Sequence, residues 1–340
     1  MTAALTRTPA VPALAVALPP SRSIVEHARL AARLGYRRVF VFDSPALYGD
    51  IWVALARVAE SVPDIDVATG VAVPSLRHPL VTASAIATIE ELAPGRVSAY
   101  FGTGFSARLA MGRRGVRWAD LATYFTQVRA LLAGDVAEID GARCQLLHSP
   151  GFGPPRPVDV PLGLAPAGPK GFAVARDLAG TVILAGPPAP DQRHWDEIVV
   201  LAHGTVLDPG EDHRSQRVID AVGPWYTTTV HGRYEWAPAS LPDVPGGAGW
   251  LAGIEAERPD GERHLAVHEG HLVEVTDRDR VLVAAAGERL LASPFTGSAA
   301  AVAAHLRLVR AAGVTEVAYQ PIGPDIARDL EAFAAAAASA

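Results

Sequence analysis

The stretch IDVATGVAVPSLRHPLVTASAIATIEELAPGRVSAYFGTG, which runs from Ile65 to Gly104, decides the fold class of this chain. Its apolar start, residues 65–73, is typical of a buried strand, and a helix is predicted over residues 79–92. A second strand follows at residues 97–101 and leads directly into Gly102-Thr103-Gly104. This order predicts a parallel α/β unit whose strand ends open onto a ligand site.

The same alternation of strand and helix extends along the chain on both sides of this stretch. Further strands are predicted at residues 13–18, 37–42, 160–164, 181–184, 198–207 and 314–319. Further helices are predicted at residues 21–34, 50–62, 118–132, 168–178, 297–312 and 324–340. A hairpin is predicted around Asp140-Gly141. Repeated βα units predict a parallel sheet with right-handed crossovers, but periodicity alone does not distinguish an open sheet from a barrel.

Residues 208–295 interrupt this rhythm. They contain the aromatic segment WYTTTVHGRYEW (225–236), a loop rich in glycine and proline, and several histidines. We interpret them as an insertion or lid region. The whole chain of 340 residues is long enough to form one barrel domain that contains this insertion.

Composition excludes some classes of function. The 30 basic residues are outnumbered by 36 acidic ones, which gives a net charge of −6. The composition therefore does not indicate the excess of positive charge that is typical of nucleic-acid-binding proteins. A single cysteine, Cys144, rules out an intramolecular disulfide and fits a reducing compartment. The prolines near the N-terminus interrupt an apolar stretch too short to span a bilayer, so we read a short tail before the first strand. We therefore expect a cytoplasmic protein that binds neither nucleic acid nor membrane.

Three candidate sites lie where predicted strands end or bend. Asp43 directly follows a strand, so its carboxylate is expected to face a ligand, or else to act as a helix cap or form an Asx-turn before Pro45. Gly70-Val71 places glycine inside a strand, which indicates a β-bulge or close approach of the backbone to a ligand, or else crowding against a helix. The two glycines of Gly102-Thr103-Gly104 allow the main chain to approach a flat or phosphorylated ligand, although they do not form a complete dinucleotide-binding motif.

A fourth candidate is an anion site at residues 165–171, APAGPKG. Ala167, Gly168 and Pro169 lie between a predicted strand and a helix, and Lys170 is the only lysine of the chain. The free N–H groups and the helix dipole at such a position attract phosphate. The alternative is a tight turn with a solvated lysine.

The fifth candidate is a group of histidines in ERHLAVHEGHL. In a helix, His264, His268 and His271 would share one face, which suits metal ligation. However, Gly270 interrupts such a helix, and the sequence from Leu272 onward reads as a strand. We therefore prefer histidines of a substrate pocket or of a local polar network, and we expect no metal site.

Several of these segments together resemble a known family. The motifs TGVAVPSLRHP, APGR, FGTG, LLAGDVAEIDG and APAGPKGFAVA, in this order, are similar to those of the luciferase-like flavin- and deazaflavin-dependent oxidoreductases. The branch that the chain resembles most is the one typified by methylenetetrahydromethanopterin reductase. The resemblance covers residues 13–206, with a further match at residues 313–323.

This resemblance implies a (β/α)8 TIM barrel with an insertion near the carboxyl-end rim and a cofactor, either coenzyme F420 or FMN, in the barrel mouth. It implies that Asp43 lies near the polar edge of the ring and that a cis peptide at Gly70-Val71 backs the ring. Gly102, Thr103 and Gly104 would contact the cofactor tail, and residues 167–170 would hold its phosphate. The family also implies a homodimer and a small-molecule substrate.

The function expected from the resemblance is hydride transfer between this cofactor and an organic substrate. Some deazaflavin enzymes carry a histidine directly after the aspartate, where it acts as an acid, but this chain has Ser44 there. His268 and His271 are our candidates for substrate contact or proton transfer. Two alternatives stay open, namely a two-component FMN-dependent monooxygenase that uses oxygen and a non-catalytic flavin-binding protein.

Overall fold

A closed barrel of eight parallel strands forms the body of the protein in the computed structural model, which describes residues 10–340. Most of the expected N-terminal tail lies outside these residues. The barrel strands are β1 (Ala13–Leu18), β2 (Arg38–Val41), β3 (Asp66–Ala72), β4 (Val97–Phe101), β7 (Leu162–Leu164), β8 (Thr181–Leu184), β9 (Glu197–His203) and β10 (Glu316–Gln320). They neighbour one another in this order, and β10 pairs with β1 to close the ring. The structure thus confirms the predicted (β/α)8 fold.

One or more α-helices follow each barrel strand except β8 along the described part of the chain. They are α1 (Ile24–Arg33), α2 (Ile51–Ser61), α3 (Pro79–Leu92), α4 (Ser106–Leu109), α5 (Trp118–Ala133), α6 (Gly168–Leu178), α7 (Gln216–Trp236), α8 (Gly247–Glu257), α9 (Arg263–His268), α10 (Arg280–Ala286), α11 (Ala299–Ala311) and α12 (Ile326–Ala338). The predicted hairpin is present as β5 (Ala137–Ile139) and β6 (Ala142–Cys144). Local caps set several boundaries: the Asp50 carboxylate accepts from the first N–H groups of α2, and His78 with Pro79 starts α3.

The interior of the barrel is filled by small residues around two aromatic rings. Phe40 and Tyr100 pack edge to face with ring centres 5.5 Å apart. The other buried members of this inner core are Ala15, Ala17, Ala68, Val199 and Ala318. The larger core lies between the strands and the surrounding helices, as expected for a parallel sheet buried on both faces.

Charged residues close the end of the barrel where the strands begin. Arg38 donates hydrogen bonds to Glu197 at 2.9 Å and to the Tyr100 hydroxyl at 3.0 Å. Glu316, fully buried at the start of β10, lies 3.5 Å from the Arg38 guanidinium. Since this network fills the amino-terminal end, the opposite end of the barrel is the one available to a ligand.

Arg96, from the APGR motif, is a structural residue. Its guanidinium donates to the carbonyl groups of Ala59 at 2.9 Å and Ile65 at 2.7 Å. These bonds tie the end of α2 and the start of β3 to the turn before β4. The motif that contributed to the family resemblance therefore maintains the scaffold at this position.

Residues 204–298, between β9 and α11, are mainly helical and form two small apolar clusters of their own. One cluster is centred on Trp250 and Ile254, and the other joins Val218 to Ala286. The strand expected from Leu272 onward was wrong. Leu272 has φ = 57°, a turn occupies this position, and α10 follows instead. No helix of residues 10–340 combines the length and the apolar character needed to cross a membrane.

Candidate functional site

A cavity of about 410 Å³ opens at the carboxyl ends of the barrel strands, and we call it the mouth cavity. Its polar lining residues are Asp43, Ser44, Tyr48, Ser106, Thr228, His271 and Gln320. Its apolar and backbone lining includes Phe42, Gly70, Val71, Val73, Gly104, Phe105, Leu201, Trp225 and Leu272. The cavity therefore joins the strand ends to α7 and to the segment after α9. It has the composition usual for small-molecule sites, an apolar wall with a few polar groups.

The Gly70-Val71 peptide bond at the mouth cavity is cis, as the resemblance implied. A Cβ atom at Gly70 would lie 2.7 Å from Cβ of Phe40, so the neighbouring strand β2 is what requires glycine here, and not a helix. A Cβ atom at Gly102 would lie 2.6 Å from Cγ2 of Val71. The two glycines thus allow the strands to approach closely and leave the Val71 side chain on the cavity wall.

Asp43 is buried and its carboxylate joins two loops. It accepts a hydrogen bond from the Val73 N–H at 3.1 Å and another from Arg77 at 3.1 Å. It does not cap a turn before Pro45. Burial raises the pKa of Asp43, while the hydrogen bond from Val73 and the charge of Arg77 oppose this shift. Arg77 also pairs with Asp50, so the RHP motif fixes the loops around the cavity.

The Gly102-Thr103-Gly104 turn connects the mouth cavity to a second, basic cavity. Gly104 lines the first cavity, and the Thr103 carbonyl accepts a 2.8 Å hydrogen bond from Val116. The basic cavity has a volume of about 460 Å³. It is lined by Pro74, Ser75, Arg108, Gly115, Val116, Arg117, Asp120 and Tyr124.

Ala167, Gly168, Pro169 and Lys170 form the exposed first turn of α6. They line neither the mouth cavity nor the basic cavity. Packing nevertheless brings this turn close to the basic cavity, because a Cβ atom at Gly171 would lie 2.6 Å from the Trp118 ring. Trp118 directly follows Arg117, which lines the basic cavity. Thr103 and Lys170 therefore flank the same segment, residues 115–118.

The histidine expectation is met in part. His268 and His271 are buried next to each other with ring centres 5.5 Å apart, but only His271 lines the mouth cavity. His264 lies apart from them, against Gly112. The third member of the buried group is His231 of α7, whose Nδ1 lies 3.2 Å from Nδ1 of His271. Burial lowers the pKa of His271 well below its ordinary value, and the neighbouring histidines lower it further.

Sequence reasoning missed several residues of the site. Tyr48, Phe105 and Trp225 line the mouth cavity from three separate segments, and only Trp225 lies in a segment that the sequence had singled out, the aromatic run 225–236. Gln320 could have been found, since it directly follows a predicted strand, as Asp43 does. Trp225 stacks on His203 at 4.0 Å between ring centres, and burial lowers the pKa of His203 to about 4.

Comparisons with known proteins agree with this architecture. The sequence model of the family described as luciferase-like monooxygenase matches residues 2–199. Over 203 residues the chain is 27% identical to 5,10-methylenetetrahydromethanopterin reductase from Methanolobus tindarius, which covers 56% of this chain and 59% of the relative. Over 180 residues it is 33% identical to an F420-dependent glucose-6-phosphate dehydrogenase from Beutenbergia cavernae, which covers 47% of this chain and 50% of the relative. The chain thus matches these relatives over 50% to 59% of their length.

Solved structures share the fold over nearly the whole chain. The coenzyme F420-dependent tetrahydromethanopterin reductase from Methanopyrus kandleri superposes with a TM-score of 0.65 at 19% identity, over 95% of this chain and 97% of that one. The monooxygenase RslO1 from Streptomyces bottropensis gives a TM-score of 0.60 at 18% identity, over 96% of this chain and 99% of that one. At these identities the similarity establishes the fold alone.

Proposed function

This chain belongs to the luciferase-like monooxygenase family, and we propose that it is an oxidoreductase that transfers hydride between a flavin-type cofactor and an organic substrate. The observation that supports this most strongly is the composition of the mouth cavity. It brings Asp43, Gly70-Val71, Gly104 and His271 together at the carboxyl ends of the strands. Active sites of (β/α)8 enzymes lie at this face of the barrel.

The residues present fit the ring of F420 or FMN. The cavity wall is largely apolar and aromatic, with Phe42, Val71 and Trp225 available to pack against a planar ring. The polar side chains of Ser44 and Gln320 lie at the same wall and offer hydrogen bonds to a ring edge. When bound, the cofactor would supply the group that accepts or donates hydride.

The cofactor tail would follow the Gly102-Thr103-Gly104 turn out of the mouth cavity. The basic cavity beyond this turn contains Arg108, which suits an anionic tail. Residues 167–170 would bind the phosphate with the free N–H groups of the first turn of α6 and with the Lys170 ammonium. Lys170 forms no ion pair within residues 10–340, so its charge is available.

The protein would contribute orientation and the exclusion of water. We propose that residues 208–295 form a lid over the barrel mouth, from which Trp225, Thr228 and His271 reach the cavity. His271 would contact the substrate or pass it a proton. His268, which packs against His271 and donates from Nε2 to the Glu235 carboxylate, would hold the ring of His271 in place or take part in proton transfer.

A titration of the purified protein with each cofactor tests this proposal. We expect one equivalent of either F420 or FMN to bind, measured by fluorescence quenching with both oxidised and reduced forms. Reduction of the bound cofactor by candidate substrates should then follow without oxygen if the protein is a reductase or dehydrogenase. Failure of both cofactors to bind in either redox state would refute the proposal.

The same experiment separates the two alternatives. Turnover that requires reduced FMN and oxygen would identify a two-component monooxygenase. Saturable binding without turnover on any electron donor would identify a non-catalytic flavin-binding protein. The control is Gly102→Ala, a variant in which the mouth cavity should be narrower while the protein stays folded. It should bind either cofactor more weakly than the unmodified protein does. Weaker binding by this variant distinguishes binding in the cavity from binding to the protein surface.

A further inference from the structure

We propose that His231, His268 and His271 form a binding site for one divalent transition-metal ion of the zinc class. One ring nitrogen from each of the three lies within 4.8 Å of the others. All three side chains are almost fully buried, with exposed fractions of 1%, 1% and 2%. They come from α7, from the end of α9 and from the turn that follows it, so the site exists only in the folded helical region.

The distances between the rings fit a single tetrahedral ion. The three ring centres form a nearly equilateral triangle with sides of 5.4, 5.5 and 5.9 Å. Three imidazoles around one Zn²⁺, with Zn–N bonds of about 2.0–2.1 Å, would have ligating nitrogens about 3.3 Å apart and ring centres about 5 Å apart. The 3.2 Å separation between Nδ1 of His231 and Nδ1 of His271 matches the first value. The candidate nitrogens lie within 4.8 Å of one another, so coordination by all three rings requires the longer separations to shorten toward about 3.3 Å.

The nitrogens on the far side of two rings face carboxylates. Nε2 of His268 lies 3.3 Å from the Glu235 carboxylate, and Nε2 of His231 lies 3.6 Å from the Asp279 carboxylate. Metal-binding histidines usually present their second ring nitrogen to a carboxylate in this way, which fixes the orientation of the ring. Asp279 is itself held by Trp250 at 2.8 Å. The two carboxylates also supply negative charge to balance a buried cation.

A purely hydrogen-bonded cluster leaves one of the candidate ligand atoms without a partner. Nδ1 of His268 is buried and makes no hydrogen bond within residues 10–340. Buried polar atoms are nearly always paired in native proteins, so this unpaired nitrogen indicates a missing partner. A metal ion bound by Nδ1 of His268 together with Nδ1 of His231 and Nδ1 of His271 would supply that partner, because a coordinating nitrogen needs no hydrogen bond. This is why we favour a metal over the local polar network that the sequence suggested.

The ligand set defines the class of ion. Three neutral imidazoles suit Zn²⁺, Co²⁺, Ni²⁺ and Cu²⁺, whereas Mg²⁺ and Ca²⁺ prefer oxygen ligands. Three protein ligands leave a fourth position for water or for a substrate oxygen. Because His271 also lines the mouth cavity, the ion would fix one wall of that cavity. The site does not depend on the proposed cofactor, since none of its three histidines is assigned to cofactor binding.

Metal titration of the tag-free, cofactor-free protein tests the site. After dialysis against a chelator, the protein should take up one equivalent of Co²⁺ and show the visible absorption bands of a tetrahedral nitrogen site. Zn²⁺ should displace the Co²⁺, and Mg²⁺ should not. We expect His231→Gln and His268→Gln to weaken Co²⁺ binding at least a hundredfold. His264→Gln, which removes a nearby histidine outside the cluster, should bind as the unmodified protein does.

Two results would overturn the site. One is the absence of stoichiometric Co²⁺ and Zn²⁺ uptake by the folded, unmodified protein. The other is equal loss of binding in His264→Gln and His268→Gln when circular dichroism shows that both are folded. If the cluster variants fail to fold, X-ray absorption of the zinc-loaded unmodified protein decides the question: three nitrogen ligands of the imidazole type support the site, and fewer contradict it. Neither outcome bears on cofactor binding, which is measured separately.

Discussion

The Tyr48 hydroxyl donates a 2.7 Å hydrogen bond to the main-chain carbonyl of His271, 223 residues further along the chain. Tyr48 lies in the loop after β2, and His271 lies in the turn after α9. This bond joins the barrel to the helical region directly at the wall of the mouth cavity, which both residues line. The position of the proposed lid therefore depends on a residue of the barrel rim.

Tyr48→Phe should destabilise the protein and loosen this junction. Loss of the hydroxyl leaves the His271 carbonyl without its partner, which costs about 1 kcal/mol, and up to about 3 kcal/mol if water cannot replace it. Urea unfolding measures the effect. Tyr226→Phe is the matched control, since the Tyr226 hydroxyl makes no side-chain hydrogen bond in the described part of the chain. Equal stability of the two variants would show that the bond contributes nothing.

Lys170→Ala should weaken cofactor binding while the protein remains folded. Loss of one charge-assisted contact to phosphate costs about 1.5–3 kcal/mol, which raises the dissociation constant by roughly 10- to 150-fold. Fluorescence titration with the cofactor measures it. Arg176→Ala removes an exposed charge from the last turn of the same helix and should leave the affinity unchanged. An unchanged dissociation constant for Lys170→Ala would refute the phosphate assignment.

Gly168→Asp should also weaken cofactor binding, because it places a negative charge beside the expected phosphate. Gly168 has φ = 63°, so any other residue strains the backbone here. Gly168→Asn introduces a side chain of the same size and similar backbone tolerance without the charge and is therefore the control. We expect the aspartate variant to bind at least tenfold more weakly than the asparagine variant, a difference of about 1.4 kcal/mol. Equal affinities would place the phosphate elsewhere.

Gly102→Ala should narrow the mouth cavity. The added methyl would lie 2.6 Å from Cγ2 of Val71, so the Val71 side chain must move from its place on the wall. We expect at least a tenfold weaker cofactor affinity, or about 1.4 kcal/mol. Gly186→Ala, where nothing lies within 4 Å of the added atom, serves as the control. A crystal structure of Gly102→Ala with cofactor bound normally would contradict the assignment of this wall.

Glu316→Gln should change how stability depends on pH. Burial raises the pKa of Glu316 from 4.5 to about 7, although the charge of Arg38 opposes this. Because the folded state holds the proton more tightly than the unfolded state, this group lowers the free energy of unfolding as pH rises from about 4.5 to 7. Glutamine resembles the protonated acid and removes that loss.

Urea unfolding at about pH 5 and about pH 8 measures this effect. The gain of Glu316→Gln over the unmodified protein should grow with pH by up to roughly 3 kcal/mol. The control is Glu138→Gln, which changes an exposed carboxylate on β5. A gain that is the same at both pH values would show that Glu316 does not titrate in this range.

The strands and helices of the barrel could largely be predicted from the sequence, because their signals are local. The predicted bounds of α3, β4, α6 and β8 match the structure, since proline, glycine and apolar runs mark their ends. The helical region between β9 and α11 could not be predicted in this way. Its helices are held by small apolar clusters built from distant segments, and Pro224 lies within α7.

The residues of the candidate site also fall into those that the sequence predicted and those that it did not. Asp43, Gly70, Val71 and Gly104 were found because each occupies or follows a strand end, and the parallel fold brings such ends together. The partners that define their surroundings were not found. Arg77 binds Asp43, Phe40 explains Gly70, and Tyr48 reaches His271, and each of these contacts joins residues with no fixed spacing.

The sequence by itself determined the class of fold and the end of the strands at which the mouth cavity opens, because hydrophobic periodicity and turn residues act over a few positions of chain. Only the tertiary structure decided which side chains share that space. In the folded protein the histidine cluster contains His231 and not His264. Lys170 lies beside the basic cavity but does not line it. These arrangements depend on how α7, α9 and α6 pack against the barrel, and packing between distant segments leaves no local trace in the sequence.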